Sequence, residues 1–393
     1  MREGGKAIYM DHAATTAVDS KVVEAMLPYF TQIYGNASSI HAWGRAASEA
    51  IESARKTVAD ILGVRPPEVV FTSCGTESDN LAIRGVAFAS RAKGNHIITS
   101  AIEHHAVSHT CEQLHREFGF EVTYVPVDRY GQVDPDDVGR AITGKTVLIT
   151  IMYANNEVGT IEPIPEIGKV AHARGIPVHT DAVQGGGTLD LDVDRLNVDL
   201  LSLSAHKFYG PKGVGILYRR PSTPLLPMQT GGGHEGGWRA GTENTPYIVG
   251  LAAALKLAQE HRDEENARIA ALRDRLIDGV LEAIPKSQLT GHRHNRLPNS
   301  ASFVFQGVEA ESILLKLDML GVAGSSGSAC TTGEPEPSHV LTAMGLPVEL
   351  CHSSLRLTLG RENTVEDVDY VISALPEIVA GLRAMSPLYK EEA

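Results

Sequence analysis

The sequence lacks the features that mark several large classes of protein. It has four cysteines in 393 residues (Cys74, Cys111, Cys330 and Cys351), and no two of them form a CxxC pair. Structural zinc sites and disulfide frameworks are therefore poor explanations, and free thiols in a reducing compartment fit the composition. No apolar run approaches the length of a membrane span. The first residues also lack the apolar region of a secretory signal, so we expect a cytoplasmic protein.

A basic surface is missing as well. The formal net charge is -13, from 35 lysines and arginines against 48 aspartates and glutamates. Binding to a phosphate backbone requires clustered positive charge, so we expect no nucleic-acid partner. The local basic cluster at residues 292–296 is predicted to be a solvated loop, with metal binding as the weaker alternative.

The first two thirds of the chain alternate short apolar runs with helical patterns. This alternation predicts an α/β fold with a mostly parallel sheet covered by helices, whose ligands lie at the carboxyl ends of the strands. The predicted strands are Val69–Thr72, Ile97–Ser100, Val122–Pro126, Val147–Ile151, Ile176–Thr180, Asp199–Ser204 and Gly215–Tyr218.

The rest of the chain predicts a second, smaller α+β domain. A long helical stretch from about residue 246 to 284 leads into it. The elements predicted beyond it are a strand at 301–305, a helix at 310–320, a small-residue loop at 324–333, a strand at 354–358 and a helix at 365–385. We therefore predict a large domain at residues 16–260 and a small domain formed by residues 1–15 and 261–393.

Lys207 and Asp181 are the leading candidates for chemistry, because each lies at the end of a predicted strand. An amine buried there loses solvation, so its pKa falls and it becomes a nucleophile toward carbonyl groups. A lysine and an acid on neighbouring strands are what pyridoxal phosphate requires: the lysine forms a Schiff base, and the acid keeps the pyridine nitrogen protonated. The alternative is a solvated lysine. A rival amine, Lys212, lies in a glycine-proline turn and is predicted to face solvent.

Ser73–Ser78, between a predicted strand and a helix, is a candidate anion site. Gly75 permits a tight turn, and Thr76 presents a hydroxyl and an N–H group at the helix start, where anions bind. A simple N-cap explains the same residues equally well. Ser204 and His206 are two residues apart, just before the candidate lysine. On an extended backbone their side chains share a face, so both could donate to a phosphate beside the lysine.

A histidine and a cysteine stand out by their surroundings. His104 follows a predicted strand, where it could stack on an aromatic cofactor or move protons, although a lone histidine is more often structural. Cys330 lies among small residues, which predicts an exposed, reactive thiol on the loop at 324–333. Cys111 and Cys351 are predicted to be buried and inert.

Arg356 interrupts an apolar strand. On a surface strand it would face solvent. If it points into the cleft, its planar guanidinium would pair with a carboxylate, and Asn36 could assist.

Nine motifs span nearly the whole chain: MDHAATT, GNASSIH, TESDNLAI, ANNEVGT, HTDAVQ, SAHKFYGPKG, GGGHEGGWRAGTEN, SSGSAC and SSLRLTLG. In this order and spacing they resemble the NifS/IscS-type cysteine desulfurases. The joint match is highly specific, whereas any one motif is not.

The resemblance implies a homodimer with the aspartate-aminotransferase-like fold of pyridoxal phosphate enzymes, known as fold type I. Lys207 would hold the cofactor, Asp181 would pair with the ring nitrogen, and His104 would stack on the ring. The other implied cofactor contacts are Asn156 and Gln184 near the ring hydroxyl, Gly75, Thr76, Ser204 and His206 at the phosphate, and Thr242 reaching the phosphate from the other subunit.

The implied reaction removes sulfur from L-cysteine and leaves L-alanine and a persulfide on Cys330. Lys207 would remove the α-proton, while Arg356 and Asn36 would anchor the substrate carboxylate. The sulfur would pass to an acceptor, such as an IscU-type scaffold protein, for iron–sulfur cluster assembly or for tRNA thiolation. No metal would be intrinsic to the protein, and a transient iron–sulfur ligand role for Cys330, shared with a scaffold, stays open.

Two departures from the family pattern are visible. Cys74 stands where the family commonly has glycine. The last residues, 386–393, lack the longer tail with which many members dock the IscU-type scaffold protein. The competing hypotheses are another fold-type-I reaction, such as transamination or selenocysteine cleavage, and a non-catalytic scaffold protein. Transamination needs no thiol at position 330.

Overall fold

The computed structural model describes residues 7–326, 337–387 and 389, so Cys330 lies outside the described residues. The strands are β1 (Ile8–Tyr9), β2 (Val69–Thr72), β3 (His96–Ser100), β4 (Glu121–Val125), β5 (Thr146–Thr150), β6 (Val178–Asp181), β7 (Leu200–Ser204), β8 (Gly215–Arg219), β9 (Ser287–Leu289), β10 (Ser300–Phe305), β11 (Val322–Ala323) and β12 (Leu355–Thr358).

The helices cover the sheets and are mostly amphipathic. None in the described part of the chain is both long and apolar enough to cross a bilayer. They are α1 (Ser20–Met26), α2 (Pro28–Thr31), α3 (Ala42–Leu62), α4 (Gly75–Ala89), α5 (His105–Phe118), α6 (Pro135–Ala141), α7 (Ile164–His172), α8 (Val193–Leu196), α9 (Thr245–Glu260), α10 (Arg262–Ala283), α11 (Ala310–Met319), α12 (His339–Ala343), α13 (Val348–Cys351) and α14 (Val365–Met385).

The main sheet contains seven strands of the described chain, in the order β2-β8-β7-β6-β5-β3-β4. Strand β8 runs antiparallel to β2 and β7, and the other pairs are parallel. Strands β3, β6 and β7 are buried along their whole length, as expected for a sheet with helices on both faces. The predicted mostly parallel α/β sheet is confirmed, and its parallel strands end at one common edge.

Helix α3 shows how the sequence builds this covering layer. Ile51, Val58 and Leu62 recur at helical spacing on its buried face, and this face packs against α9. Each such buried side chain contributes about 1.5–3 kcal/mol relative to an exposed one. The helix stops at Gly63, whose φ of 73° places it in the left-handed conformation that glycine adopts without strain.

A second core lies outside the main sheet. Strand β10 pairs antiparallel with β9 and β12, and α10, α11 and α14 supply much of the apolar cluster around it. Ile8 and Met10 join this cluster, whereas the main-sheet cluster draws on residues 22 to 258. The two clusters agree with the predicted domain division, whose boundaries stay a prediction. The long helical stretch predicted at 246–284 is two helices, α9 and α10, which meet at His261.

Candidate active site

A cavity of about 380 Å³ lies at the carboxyl ends of the parallel strands. Strands β6 and β7 end in it, and Arg356 of β12 and Ser325 reach it from the second domain. Because these strands end at one edge, residues far apart in sequence meet here. The predicted site residues that line the cavity are Gly75, Thr76, His104, Asn156, Asp181, Gln184, Ser204, His206, Lys207 and Arg356.

Lys207 lies in a single 3-10 turn, Ala205–Lys207, directly after β7. Its Nζ donates hydrogen bonds to the carbonyl oxygens of Ala13 at 2.5 Å and Ala14 at 2.8 Å. Burial lowers the pKa of Lys207 to about 8, and the positive charge of Arg356 acts in the same direction. The amine therefore loses its proton far more readily than a solvated lysine and can serve as a nucleophile or a base.

Asp181 ends strand β6 and lines the same cavity. It is 5% exposed, and its Oδ1 accepts a hydrogen bond from the Val183 N–H at 2.9 Å. Burial raises the pKa of Asp181, whereas His104 and Lys207 lower it. His104 caps the start of α5, where its Nδ1 accepts from the Ala106 N–H at 3.1 Å. The cavity thus offers a carboxylate and an imidazole to a cationic, aromatic ligand.

The N-terminus of α4 forms another wall of the cavity. This helix begins at Gly75, and the N-cap residue Cys74 provides no side-chain cap. A Cβ atom at position 75 would lie 2.7 Å from Val183 Cγ2 and 3.3 Å from Ser204 Cβ, so only glycine allows this close approach. Burial lowers the pKa of His206 to about 4, which keeps its ring neutral at pH 7. A helix start beside hydroxyl and imidazole groups suits an anion.

Polar groups also lie on the side of the cavity that faces the second domain. The Gln184 Nε2 donates to the Ala13 carbonyl at 3.0 Å. Arg356 is 6% exposed, and its Nη1 donates to the Asn156 carbonyl at 2.9 Å. The Arg356 Nη2 pairs with Asp11 Oδ1 at 3.0 Å. Arg356 therefore points into the cleft, as one of the two sequence-based alternatives predicted.

Asn36 and Thr242 are not among the residues that line this cavity in the described chain. The Asn36 Oδ1 accepts from the Ser38 N–H at 2.9 Å, on the loop before α3. Neighbours of both residues, Ser38 and Glu243, line a second cavity of about 670 Å³. Within one chain, Asn36 is thus not brought to Arg356. The predicted contribution of Thr242 comes from another subunit and stays a prediction.

The glycine-rich segment that contains Thr242 is anchored to the main domain by a buried ion pair. Glu235 is 8% exposed and bonds Arg55 through both carboxylate oxygens, at 2.7 Å and 2.9 Å. The Phe71 N–H also donates to Glu235 Oε2, at 2.8 Å. This segment, residues 230–244, is therefore fixed to the main domain at Glu235. No local signal could reveal the pair, because its partners lie 180 residues apart.

Two buried acids near Asp181 were missed by the sequence reasoning. Asp79 is 1% exposed and lines the cavity, and its Oδ1 has no hydrogen-bond partner among the described residues. Burial and the charge of Asp181 raise the pKa of Asp79 well above its ordinary value. Burial also raises the pKa of Glu103 to about 8. The sequence contains only weak signals that these two acids belong to the site: Asp79 lies one turn after Thr76, and Glu103 directly precedes His104.

The described cysteines have distinct surroundings. Cys111 in α5 and Cys351 in α13 are 0% and 3% exposed, as predicted for inert core residues. Burial raises the pKa of both thiols. Cys74 is partly exposed and lines the cavity beside Gly75. The reactive thiol predicted at Cys330 lies outside the described residues.

The fold and this cavity agree with the family comparison. The chain belongs to the class-V aminotransferase family, whose model matches residues 8–371. This membership confirms the predicted fold class, the fold type I of pyridoxal phosphate enzymes.

Individual relatives are similar over almost the full chain. A cysteine desulfurase IscS of Methanosarcina thermophila is 56% identical over 387 residues, covering 98% of this chain and 95% of the relative. A cysteine desulfurase IscS of Dictyoglomus turgidum is 52% identical, covering 98% of each chain. Among solved structures, a NifS-like protein superposes with a TM-score of 0.90 at 38% identity, covering 96% of this chain and 100% of the other.

Proposed function

We propose that this protein is a pyridoxal phosphate-dependent cysteine desulfurase that converts L-cysteine to L-alanine and a persulfide on Cys330. The observation that carries the proposal is the meeting of Lys207, Asp181 and the start of α4 in one cavity. An amine, a buried acid and an anion-binding helix start are the three partners that this cofactor requires. The relatives named cysteine desulfurase support the same substrate.

The residues present fit the cofactor. Gly75 leaves room at the helix start that a Cβ atom would fill, so its backbone, with Thr76, Ser204 and His206, would hold the phosphate. Asp181 would pair with the ring nitrogen. His104 would stack on the ring, and the amides of Gln184 and Asn156 would bond its polar substituents. When bound, the cofactor would supply an electron-withdrawing ring that stores the electron pair released at the substrate α-carbon.

The side chains around the cofactor would bind substrate and move protons. Arg356 would hold the substrate carboxylate through its planar guanidinium. Lys207 would accept the α-proton, because its pKa of about 8 leaves a substantial neutral fraction near neutral pH. Asn36 would assist the carboxylate contact only from a neighbouring subunit, since it does not line the cavity of its own chain.

The segment at 324–333 would bring Cys330 to the bound substrate. The thiolate of Cys330 would attack the substrate sulfur, so that an S–S bond forms and the Cβ–S bond breaks. The three-carbon fragment would then take up one proton at Cβ, regain its α-proton from Lys207 and leave as L-alanine. The persulfide sulfur would pass to an acceptor protein of the IscU-scaffold type, for iron–sulfur cluster assembly or tRNA thiolation in the cytoplasm.

Mass spectrometry after incubation with L-cysteine tests this proposal. The cofactor-loaded protein should form L-alanine, and digestion without reductant should show one added sulfur on the peptide that contains Cys330. Absence of L-alanine, or a sulfur adduct confined to another peptide, would contradict the proposal.

Thr242 should matter to a cofactor bound in the other subunit of a homodimer. Two exposed apolar side chains around the start of α3, Ile40 at 91% and Trp43 at 58% exposure, support an interface on this chain. Thr242→Ala should weaken pyridoxal phosphate retention by about tenfold, because it removes a hydrogen bond to a charged group. Thr242→Ser keeps the hydroxyl and is the matched control. Equal cofactor affinity of wild-type and Thr242→Ala protein, measured by absorbance after dialysis, would count against this placement.

A further inference from the structure

Residues 11–16, here called the N-terminal strap, connect the two cores beside the cavity. On one side, the Ala13 N–H donates to Thr358 Oγ1 of β12 at 2.9 Å. On the other side, the Thr16 N–H donates to the His206 carbonyl at 3.0 Å, directly beside Lys207. The strap therefore spans from the strand that carries Arg356 to the turn that carries the candidate catalytic lysine.

The strap places its own carboxylate on Arg356. Asp11 Oδ1 lies 3.0 Å from Arg356 Nη2, and the second terminal nitrogen, Nη1, donates to the Asn156 carbonyl. The Arg356 Nε is buried and has no hydrogen-bond partner among the described residues. The Arg356 guanidinium thus binds the Asp11 carboxylate through Nη2 alone and leaves its Nε–H donor unused. An arginine can bind a carboxylate through two parallel hydrogen bonds, so this pairing is incomplete.

The two partners differ in their freedom to move. The side chain of Arg356 is 7% exposed and fixed within a strand, whereas that of Asp11 is 21% exposed. The Asp11 carboxylate can therefore turn toward water, and a ligand carboxylate that takes its place keeps the buried Arg356 charge paired. Arg356 cannot move in the same way, so it stays aimed at the cavity.

The strap also holds the groups that are expected to act on the cofactor. The carbonyl oxygen of Ala13 accepts hydrogen bonds from both Lys207 and Gln184, and the Ala14 carbonyl accepts from Lys207. Ala13 is only two residues from Asp11. Only a short length of backbone therefore separates the carboxylate on Arg356 from the acceptors of the lysine.

We propose that Asp11 is a resident carboxylate that the substrate α-carboxylate displaces from Arg356, so that the strap couples substrate binding to the position of Lys207. The inference rests on the proposed function, because it takes an α-amino acid as the ligand. It assigns Asp11 a positioning role that also sets specificity. A ligand with a carboxylate displaces Asp11, whereas a ligand without one leaves the strap closed over the lysine.

Asp11→Asn tests the inference because it keeps the side-chain shape and removes the competing charge. In the cofactor-loaded protein, the affinity for L-alanine, read from the change in visible absorption, should increase by about two- to fivefold. The affinity for L-alaninamide, which has no carboxylate, should stay unchanged. The KM for L-cysteine should fall in the same proportion as the L-alanine dissociation constant.

Asp19→Asn is the matched control. Asp19 also joins the N-terminal region to the second domain, through an ion pair with Arg361 at 3.1 Å, but it does not line the cavity. Its Oδ1 caps α1 by accepting from the Lys21 N–H at 2.9 Å, and asparagine keeps that cap. Asp19→Asn should therefore leave both ligand affinities unchanged.

Three results would overturn the role of Asp11. These are unchanged or weakened L-alanine binding in Asp11→Asn, an equal change for L-alanine and L-alaninamide, or the same gain in Asp19→Asn. If the role of Asp11 were purely structural, its replacement would change the affinities for L-alanine and L-alaninamide by the same factor. If wild-type protein forms no L-alanine from L-cysteine, the proposed function fails instead, and the L-alanine titration still decides whether Asp11 competes for Arg356.

Discussion

Lys207→Ala should abolish L-alanine formation and remove the visible absorption band that covalent attachment of the cofactor produces. Lys207 lies in the turn directly after β7, and it is the lysine that lines this cavity in the described part of the chain. Its loss removes both the attachment point and the base for the α-proton. Since general acid–base catalysis alone contributes about a hundred- to ten-thousandfold, we expect a rate loss of at least about a thousandfold. Absorbance spectra and alanine assays on the same preparation measure both effects.

Lys212→Ala is the control for a general effect of removing a lysine. Lys212 is exposed in the turn after Lys207, as its glycine-proline surroundings predict. Its replacement should leave the absorption spectrum and the rate unchanged. A visible band that persists in Lys207→Ala and disappears in Lys212→Ala would contradict the assignment.

The buried acids explain why a cationic ring nitrogen would bind beside Asp181. Asp181, Asp79 and Glu103 are each at most 5% exposed, and burial raises the pKa of each. Ionising any of them without a cation is costly in a medium of low dielectric constant. A protonated ring nitrogen at Asp181 would offset that cost for Asp181.

Most of the fold could be predicted from local patterns. The seven predicted main-sheet strands are all present, with ends within two residues of those predicted. The reversed direction of β8 was not predicted, because direction depends on how β7 and β8 pair and not on their apolar residues. The long helical stretch predicted at about 246–284 breaks at His261, where neither glycine nor proline marks the junction.

The candidate site was predictable where its residues follow strands. Lys207, Asp181 and His104 lie there because parallel strands deliver their following residues to one edge. Contacts between distant segments left no such signal. Arg296, placed by composition in a solvated loop, is 3% exposed and donates to the carbonyls of Ser300 and Val158. The pairing of Asp11 with Arg356, separated by 345 residues, was equally invisible.

Cys330→Ala should abolish persulfide formation while leaving the cofactor absorption intact. The thiol would act on the substrate sulfur, and the residues expected to hold the cofactor, such as Lys207 and Asp181, belong to other segments. Removing a covalent nucleophile leaves no route for the sulfur, so L-alanine formation should fall by at least about a hundredfold. Sulfur-adduct mass spectrometry, alanine assays and absorbance spectra measure the three consequences separately.

Cys111→Ala is the matched control for Cys330→Ala, because it also removes one thiol. Cys111 is fully buried in α5, so its replacement should cost some stability but leave L-alanine formation per cofactor-loaded molecule unchanged.

The activity of Cys330→Ala also distinguishes desulfuration from transamination. A transaminase needs no thiol at position 330, so full activity in Cys330→Ala would exclude desulfuration through this residue. Loss of activity together with the absorption band would instead indicate that the substitution disturbs the cofactor site itself.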